Sequence, residues 1–144
     1  KPDLIIIDLM LKIKTNLNLF KNINKRKILI VTSISNGKKI SYLRKKGVKI
    51  ISIKSLDSKK DFINLFKILK KYAYNRILVE SGLIFLNKLL KENLIFNLYV
   101  FQKSSKLGRN GKNNTSNKLL KKLTLKKKVN VNLSGDKLYK IKFK

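Results

Sequence analysis

Arg76-Ile-Leu-Val-Glu80-Ser-Gly82, followed by Leu83-Ile-Phe-Leu86, is the stretch on which the reading of the fold turns. Ile77, Leu78 and Val79 are consecutive apolar residues, two of them β-branched, which predicts a short strand buried on both faces. Glu80 stands at the end of that run, where an open α/β sheet places its ligands. Ser81 and Gly82 then offer a cap and a close-approach backbone position before a periodic segment, Ile84 to Lys91, that predicts a helix. A carboxylate there suits a sugar or base hydroxyl, and the unpaired N–H groups of a helix start suit a phosphate. Ser-Gly also occurs in many strand-to-helix turns that bind nothing.

Working outward, the N-terminal side alternates strand and helix. Leu4 to Ile7 is a continuous apolar strand ending at Asp8, and it begins almost at residue 1. Buried strands seldom open a domain, so the chain reads as a fragment lacking the N-terminal strands. Ile28 to Thr32 and Val48 to Ile53 are further strands, and a short element is expected around Leu17 to Phe20. Ile40 to Lys46 reads as a helix ended by Gly47 in the left-handed conformation. After Asp57-Ser58, Phe62, Leu65, Phe66 and Leu69 fall at i, i+3, i+4 and i+7, one apolar helical face with lysines opposite. These aromatics read as core, and the alternation of elements predicts parallel pairing.

Beyond the central stretch the pattern changes. Leu98 to Phe101 reads as a strand, and Leu107 to Ser116 as a polar loop whose two glycines lack the context of a phosphate-binding loop. Lys126 to Leu133 and Tyr139 to Phe143 alternate about a Gly135-Asp136 turn, which predicts an antiparallel hairpin. The expected fold is therefore α/β, a mixed and mostly parallel sheet flanked by helices with a C-terminal antiparallel hairpin. Residues 1–144 form a single domain in this reading.

Composition narrows the function. The 144 residues include no Cys and no His, which removes disulfides, the usual zinc sites, and thiol or imidazole catalysis. No metal site is expected. The apolar runs are too short to span a bilayer, and the expected location is the cytoplasm. Thirty-six Lys and Arg against seven Asp and Glu give a formal charge of +29. Such an excess normally points to nucleic acid. Here it is almost all Lys, accompanied by abundant Asn and Ile, as an AT-rich coding sequence produces. The lysines are scattered over every element, so nucleic-acid binding ranks second. That rival requires aromatics interleaved with Lys or Arg on an exposed sheet face. Its best candidate, Tyr139, Ile141 and Phe143, reads instead as facing a core.

The order of elements and the wording of the central motif resemble a known family. Ile77-Leu-Val-Glu-Ser-Gly82, a helix, Leu94-Ile-Phe-Asn-Leu-Tyr-Val-Phe101 and Lys106-Leu-Gly108 resemble the reductase domain of the bifunctional riboflavin-biosynthesis deaminase/reductase. The family pattern runs Val-Glu-Gly-Gly-Pro-Thr, helix, Leu-Val-Asp-Glu-Leu, strand, Lys-Leu-Leu-Gly. Leu4-Ile-Ile-Ile-Asp8 and Gly135-Asp136 are similar to the family's first matched strand and C-terminal turn. The resemblance implies a dihydrofolate-reductase-like fold and NADPH-dependent reduction of a ribosylaminopyrimidine phosphate to its ribityl product.

It also implies roles for matching positions. Glu80 takes the place of a substrate-contacting glutamate. Gly82, Leu83, Ile84, Phe85, Leu86, Asn87 and Lys88 match the turn and helix start that lie along NADPH. Leu9 matches a further cofactor contact that is usually Ser. No catalytic acid or base is identified, and the missing acid–base pair suits hydride transfer better than hydrolysis. The Thr of the motif is lost at Ile84, which leaves backbone donors only. The implied partner is a small phosphorylated pyrimidine, with no membrane and a homodimer as one possible assembly. A non-catalytic nucleotide-binding relative is the remaining alternative.

Overall fold

The computed structural model describes residues 1–21, 23–105 and 123–143. The polar loop expected at Leu107 to Ser116 lies outside them. The chain divides into two compact units, Lys1–Asn75 and Arg76–Lys144.

In the first unit the apolar runs pair as expected. Strands β1 (Leu4–Ile7), β2 (Ile28–Thr32) and β3 (Lys49–Ser52) form a parallel sheet in the order β1-β2-β3. Leu4 is opposite Ile28 and Leu29 opposite Lys49. β2 is the central strand and all five of its residues are buried, which its uninterrupted Ile-Leu-Ile-Val-Thr sequence requires. On one face Ile28 and Ile30 pack with Leu11, Phe20, Ile40, Leu43 and Val48. Phe20 comes from the short helix α1 (Asn18–Lys21), and Ile40 and Leu43 from α2 (Lys38–Lys45). Leu29 and Val31 point to the other face and are equally buried, at 1% and 0% exposure.

Helix α3 (Lys59–Lys71) buries Phe62, Leu65 and Leu69, the stripe its spacing predicts, while Phe66 is half-buried. Its start is a reciprocal capping box: Ser58 accepts from the Asp61 N–H, and the Asp61 carboxylate accepts from the Ser58 N–H. α2 ends as expected, with Gly47 at φ 89°.

The second unit holds helix α4 (Leu83–Lys91) and strands β4 (Asn97–Gln102), β5 (Lys128–Val129) and β6 (Lys137–Lys142). The three strands are antiparallel in the order β4-β6-β5. The turn before β6 carries Ser134 and Gly135 at positive φ. Asp136 pins it by accepting from the Ser104 N–H and hydroxyl at 3.0 and 3.2 Å.

The α/β class stands, with the parallel and antiparallel strands of the described residues in two sheets. One expectation needs correction. Residues 75–82 form no strand: Ile77, Leu78 and Val79 are 39%, 79% and 44% exposed. A strand is defined by ladder partners, and neither sheet supplies any to this segment. Three apolar residues without a neighbour on either side do not make a buried strand.

β4 also shows an arrangement that the sequence assigned elsewhere. Tyr99 and Phe101 share one sheet face and are 47% and 71% exposed. Lys140, directly opposite Tyr99, holds its ammonium 5.6 Å from the ring centroid. Tyr139, Ile141 and Phe143 are half-buried.

Candidate functional site

In an open parallel sheet, ligands meet the ends of the strands where side chains and helix starts converge. Here that edge is built from Asp8-Leu9 after β1, Thr32-Ser33 closing β2, and Ser52 closing β3. The Leu9 carbonyl is its hub. It accepts from the Thr32 hydroxyl at 3.0 Å, the Ser33 hydroxyl at 2.6 Å and the Ser33 N–H at 2.9 Å. Asp8 is committed too, since its Oδ2 accepts from the Ile13 N–H at 2.7 Å. Ser52 donates to the Ile34 carbonyl, and Lys39 donates to the Leu11 carbonyl at 2.6 Å. The result is a loop cluster held in one shape by its own backbone and hydroxyls.

This limits what Leu9 offers a ligand. Its carbonyl is saturated, and its side chain has no hydroxyl. Contact there reduces to an apolar surface and an N–H group. The exposed side chains beside it are Ser33, Ser35 and Asn36, followed by Gly37 at φ 116° at the start of α2. No side chain caps that start. Ser33, Ser35, Asn36 and Gly37 are not among the expected site residues. The available signal was the adjacent hydroxyl pair Thr32-Ser33 after a buried run.

The other predicted residues belong to the second unit and follow one another along the chain. Glu80 is exposed, on the extended segment that precedes α4. It therefore does not stand at the end of a buried strand. Gly82 is the N-cap of α4, with extended backbone (φ −65°, ψ 163°) and no side-chain cap. The first intrahelical bond runs from the Leu86 N–H to the Gly82 carbonyl at 3.1 Å. Gly82 itself supplies no side-chain cap to the first turn, which carries the N–H groups of Leu83 and Ile84, and no acid sits in that turn. A Cβ built on Gly82 would meet nothing within 4 Å. Ile84 is 68% exposed, whereas Leu83 and Phe85 to Lys88 are half-buried. A helix start with partial positive charge and open approach over a glycine suits an anionic group.

No group of three or more Asp or Glu able to hold a metal occurs among the described residues. Nor is any helix among them long and apolar enough to cross a membrane.

A parallel sheet with hydroxyl-rich strand ends, an antiparallel sheet and a glycine-led helix make this an α/β protein. The family model for the RibD C-terminal domain matches residues 1–138, and the chain belongs to that family. In structure the chain is similar to Acinetobacter baumannii RibD (form 2), with a TM-score of 0.68 at 18% identity. The match covers 96% of this chain and 36% of that one, so the chain spans about a third of the length of RibD. No curated protein matches in sequence.

Proposed function

We propose that the chain is part of an NADPH-dependent reductase of riboflavin synthesis, acting on the ribosyl group of a phosphorylated aminopyrimidine. The observation that carries this reading is the family match, which runs through both units. That continuity also supports treating the two units as parts of one reductase domain. The donor set fits a dinucleotide: the Leu83 and Ile84 N–H groups at the α4 start for phosphate, and Gly82 for close approach. When bound, the nicotinamide supplies the hydride that reduces the imine or opened-ring carbon of the sugar.

The chain's own part in this is binding and orientation. In the second unit the α4 start holds a cofactor phosphate; in the first, the exposed Ser33 hydroxyl of the Leu9–Thr32–Ser33 edge keeps lone pairs that can accept from a ligand. Glu80 accepts hydrogen bonds from amino or ring N–H groups of the pyrimidine, a charge-assisted contact. Position, rather than proton transfer, is then the protein's contribution. Assaying the full-length protein for oxidation of NADPH against NADH, with the ribosylaminopyrimidine phosphate present, tests the reading. Turnover with NADPH supports it. Binding of the nucleotide with no turnover favours the non-catalytic relative.

The nucleic-acid reading keeps one observation in its favour, the exposed Tyr99 and Phe101 beside Lys140. Lys142 shares that face by register, and the reading stays second because the family match supports the reductase.

A further inference from the structure

A cavity lies at the other end of the parallel sheet, where β1, β2 and β3 begin. Its volume is about 530 Å³, within the range of roughly 300–1,000 Å³ that small-molecule sites occupy. Lys25, Arg26 and Lys27 line it from the segment entering β2, and Lys49 from the start of β3. Tyr72 and Tyr74 line it from the segment after α3.

Asp3 is the single carboxylate of the lining, and it is already engaged. Its Oδ1 accepts from the Lys27 N–H at 3.3 Å and its Oδ2 from the Tyr74 hydroxyl at 3.0 Å. The local cations therefore outnumber the one acid, whose oxygens are spent on other donors. Lys49 rests its ammonium 3.5 Å from the Tyr72 ring centroid. That contact offsets little of a full charge in water. Cations held together around a concave surface repel one another, and a polyanion relieves that repulsion. Flat rings beside cations are the pairing that holds a base and its phosphate together.

We infer that this cavity, lined by Lys25, Arg26, Lys27, Lys49, Tyr72 and Tyr74, is a binding site for a mononucleotide. Its phosphate meets the Lys25–Lys27 run and its base meets the tyrosine rings. The site lies at the strand starts, whereas the Leu9, Thr32 and Ser52 cluster lies at the strand ends. Ligand at one is therefore separate from ligand at the other.

Two tyrosines line the site, so labelled tyrosine ring resonances in the full-length protein, assigned through Tyr72→Phe and Tyr74→Phe, report on it directly. Titration with GMP, with inorganic phosphate, and with sulfate at matched ionic strength separates the alternatives. The expected result is saturable GMP binding that shifts the Tyr72 and Tyr74 signals. K25E/R26E should weaken it at least tenfold, and Tyr72→Ala should weaken GMP but not phosphate. Lys67→Glu, an exposed α3 change outside the cavity, should leave it unaltered, and circular dichroism confirms that each variant folds. Equal, non-saturable responses to GMP and sulfate overturn the site, as does a K67E effect as large as that of K25E/R26E. Phosphate binding as tight as GMP overturns the nucleotide assignment.

Discussion

The Thr32 hydroxyl donates to the Leu9 carbonyl at 3.0 Å, and the same Thr32 oxygen accepts from the Ile34 N–H at 3.2 Å. One fully buried side chain thus ties the loop after β1 to the loop after β2. Thr32→Val keeps the shape but strands the Ile34 N–H. The expected loss is about 1–3 kcal/mol, measured by urea unfolding, and Thr32→Ser should recover most of it. A neutral Thr32→Val would mean that the edge is not held by this bond.

Asp61 carries an acid-sensitive part of the fold. Its carboxyl is lowered from 3.8 to about 2, first by the Ser55 hydroxyl and then by the Ser58 and Asp57 N–H groups. The folded value lies below the unfolded one, so this stabilisation is complete above the unfolded value and is lost as pH falls through the folded one. Melting temperatures of the parent should decline between about pH 4 and 2 more steeply than those of Asp61→Asn. Parallel curves would show that the cap does not couple to folding. Ser58→Ala, which removes the other half of the box, should cost about 0.5–2 kcal/mol.

Leu78 decides how the 75–82 segment is built. At 79% exposure, Leu78→Ser should change stability by no more than about 0.5 kcal/mol. A loss of about 2–5 kcal/mol, the cost of truncating a buried leucine, would restore the buried strand.

Glu80 and Gly82 separate substrate from cofactor. Glu80→Gln in the full-length protein should lower kcat/KM by about ten- to a hundredfold, equivalent to about 1.5–3 kcal/mol for a charge-assisted bond, with NADPH affinity unchanged. Gly82→Val should do the reverse, weakening NADPH while leaving the melt close to the parent, because the space around Gly82 is open. If both variants lose only stability, neither residue belongs to the site.

The charge is a weaker device than its size suggests. Binding to single-stranded nucleic acid should be weak and fall linearly with salt on a log–log plot. Tyr99→Ala/Phe101→Ala should not change it. A large loss in that double variant would promote the β4 face to a stacking platform.

Local chemistry explains what could be foreseen. Ile28–Val31 is an unbroken apolar run, which a central strand buried on both faces requires. The Phe62, Leu65 and Leu69 spacing fits no element but a helix. Ser58 and Asp61 announce its start, and Gly47 the end of α2. Ile77–Val79 looked the same as Leu4–Ile7 because apolarity reports a preference for burial, not the presence of a partner. The division into two sheets depends on pairings such as Asn97 with Lys142, which no local period encodes. At the sites, Gly82 was visible as a residue type, and the Leu9 hub was not. Its bonds join positions 23 and 24 residues apart. The lysines scattered along the chain gave no hint that Lys25–Lys27 and Lys49 line one cavity.

The register of the antiparallel sheet bears on how the chain is made. In the first unit, partners such as Leu29 and Lys49 are 20 residues apart. β4 must wait for β6, since Gln102 pairs with Lys137 and Asn97 with Lys142, separations of 35 to 45 residues. At about 5–20 residues per second of synthesis, β4 leaves the ribosome some seconds before its partner exists. During that interval its backbone edge and its Tyr99 and Phe101 rings are open to other nascent chains. The second unit is therefore where slowed translation or chaperone loss should first produce aggregates. Adding charge at Phe101 should raise soluble yield without changing the stability of β1 to β3.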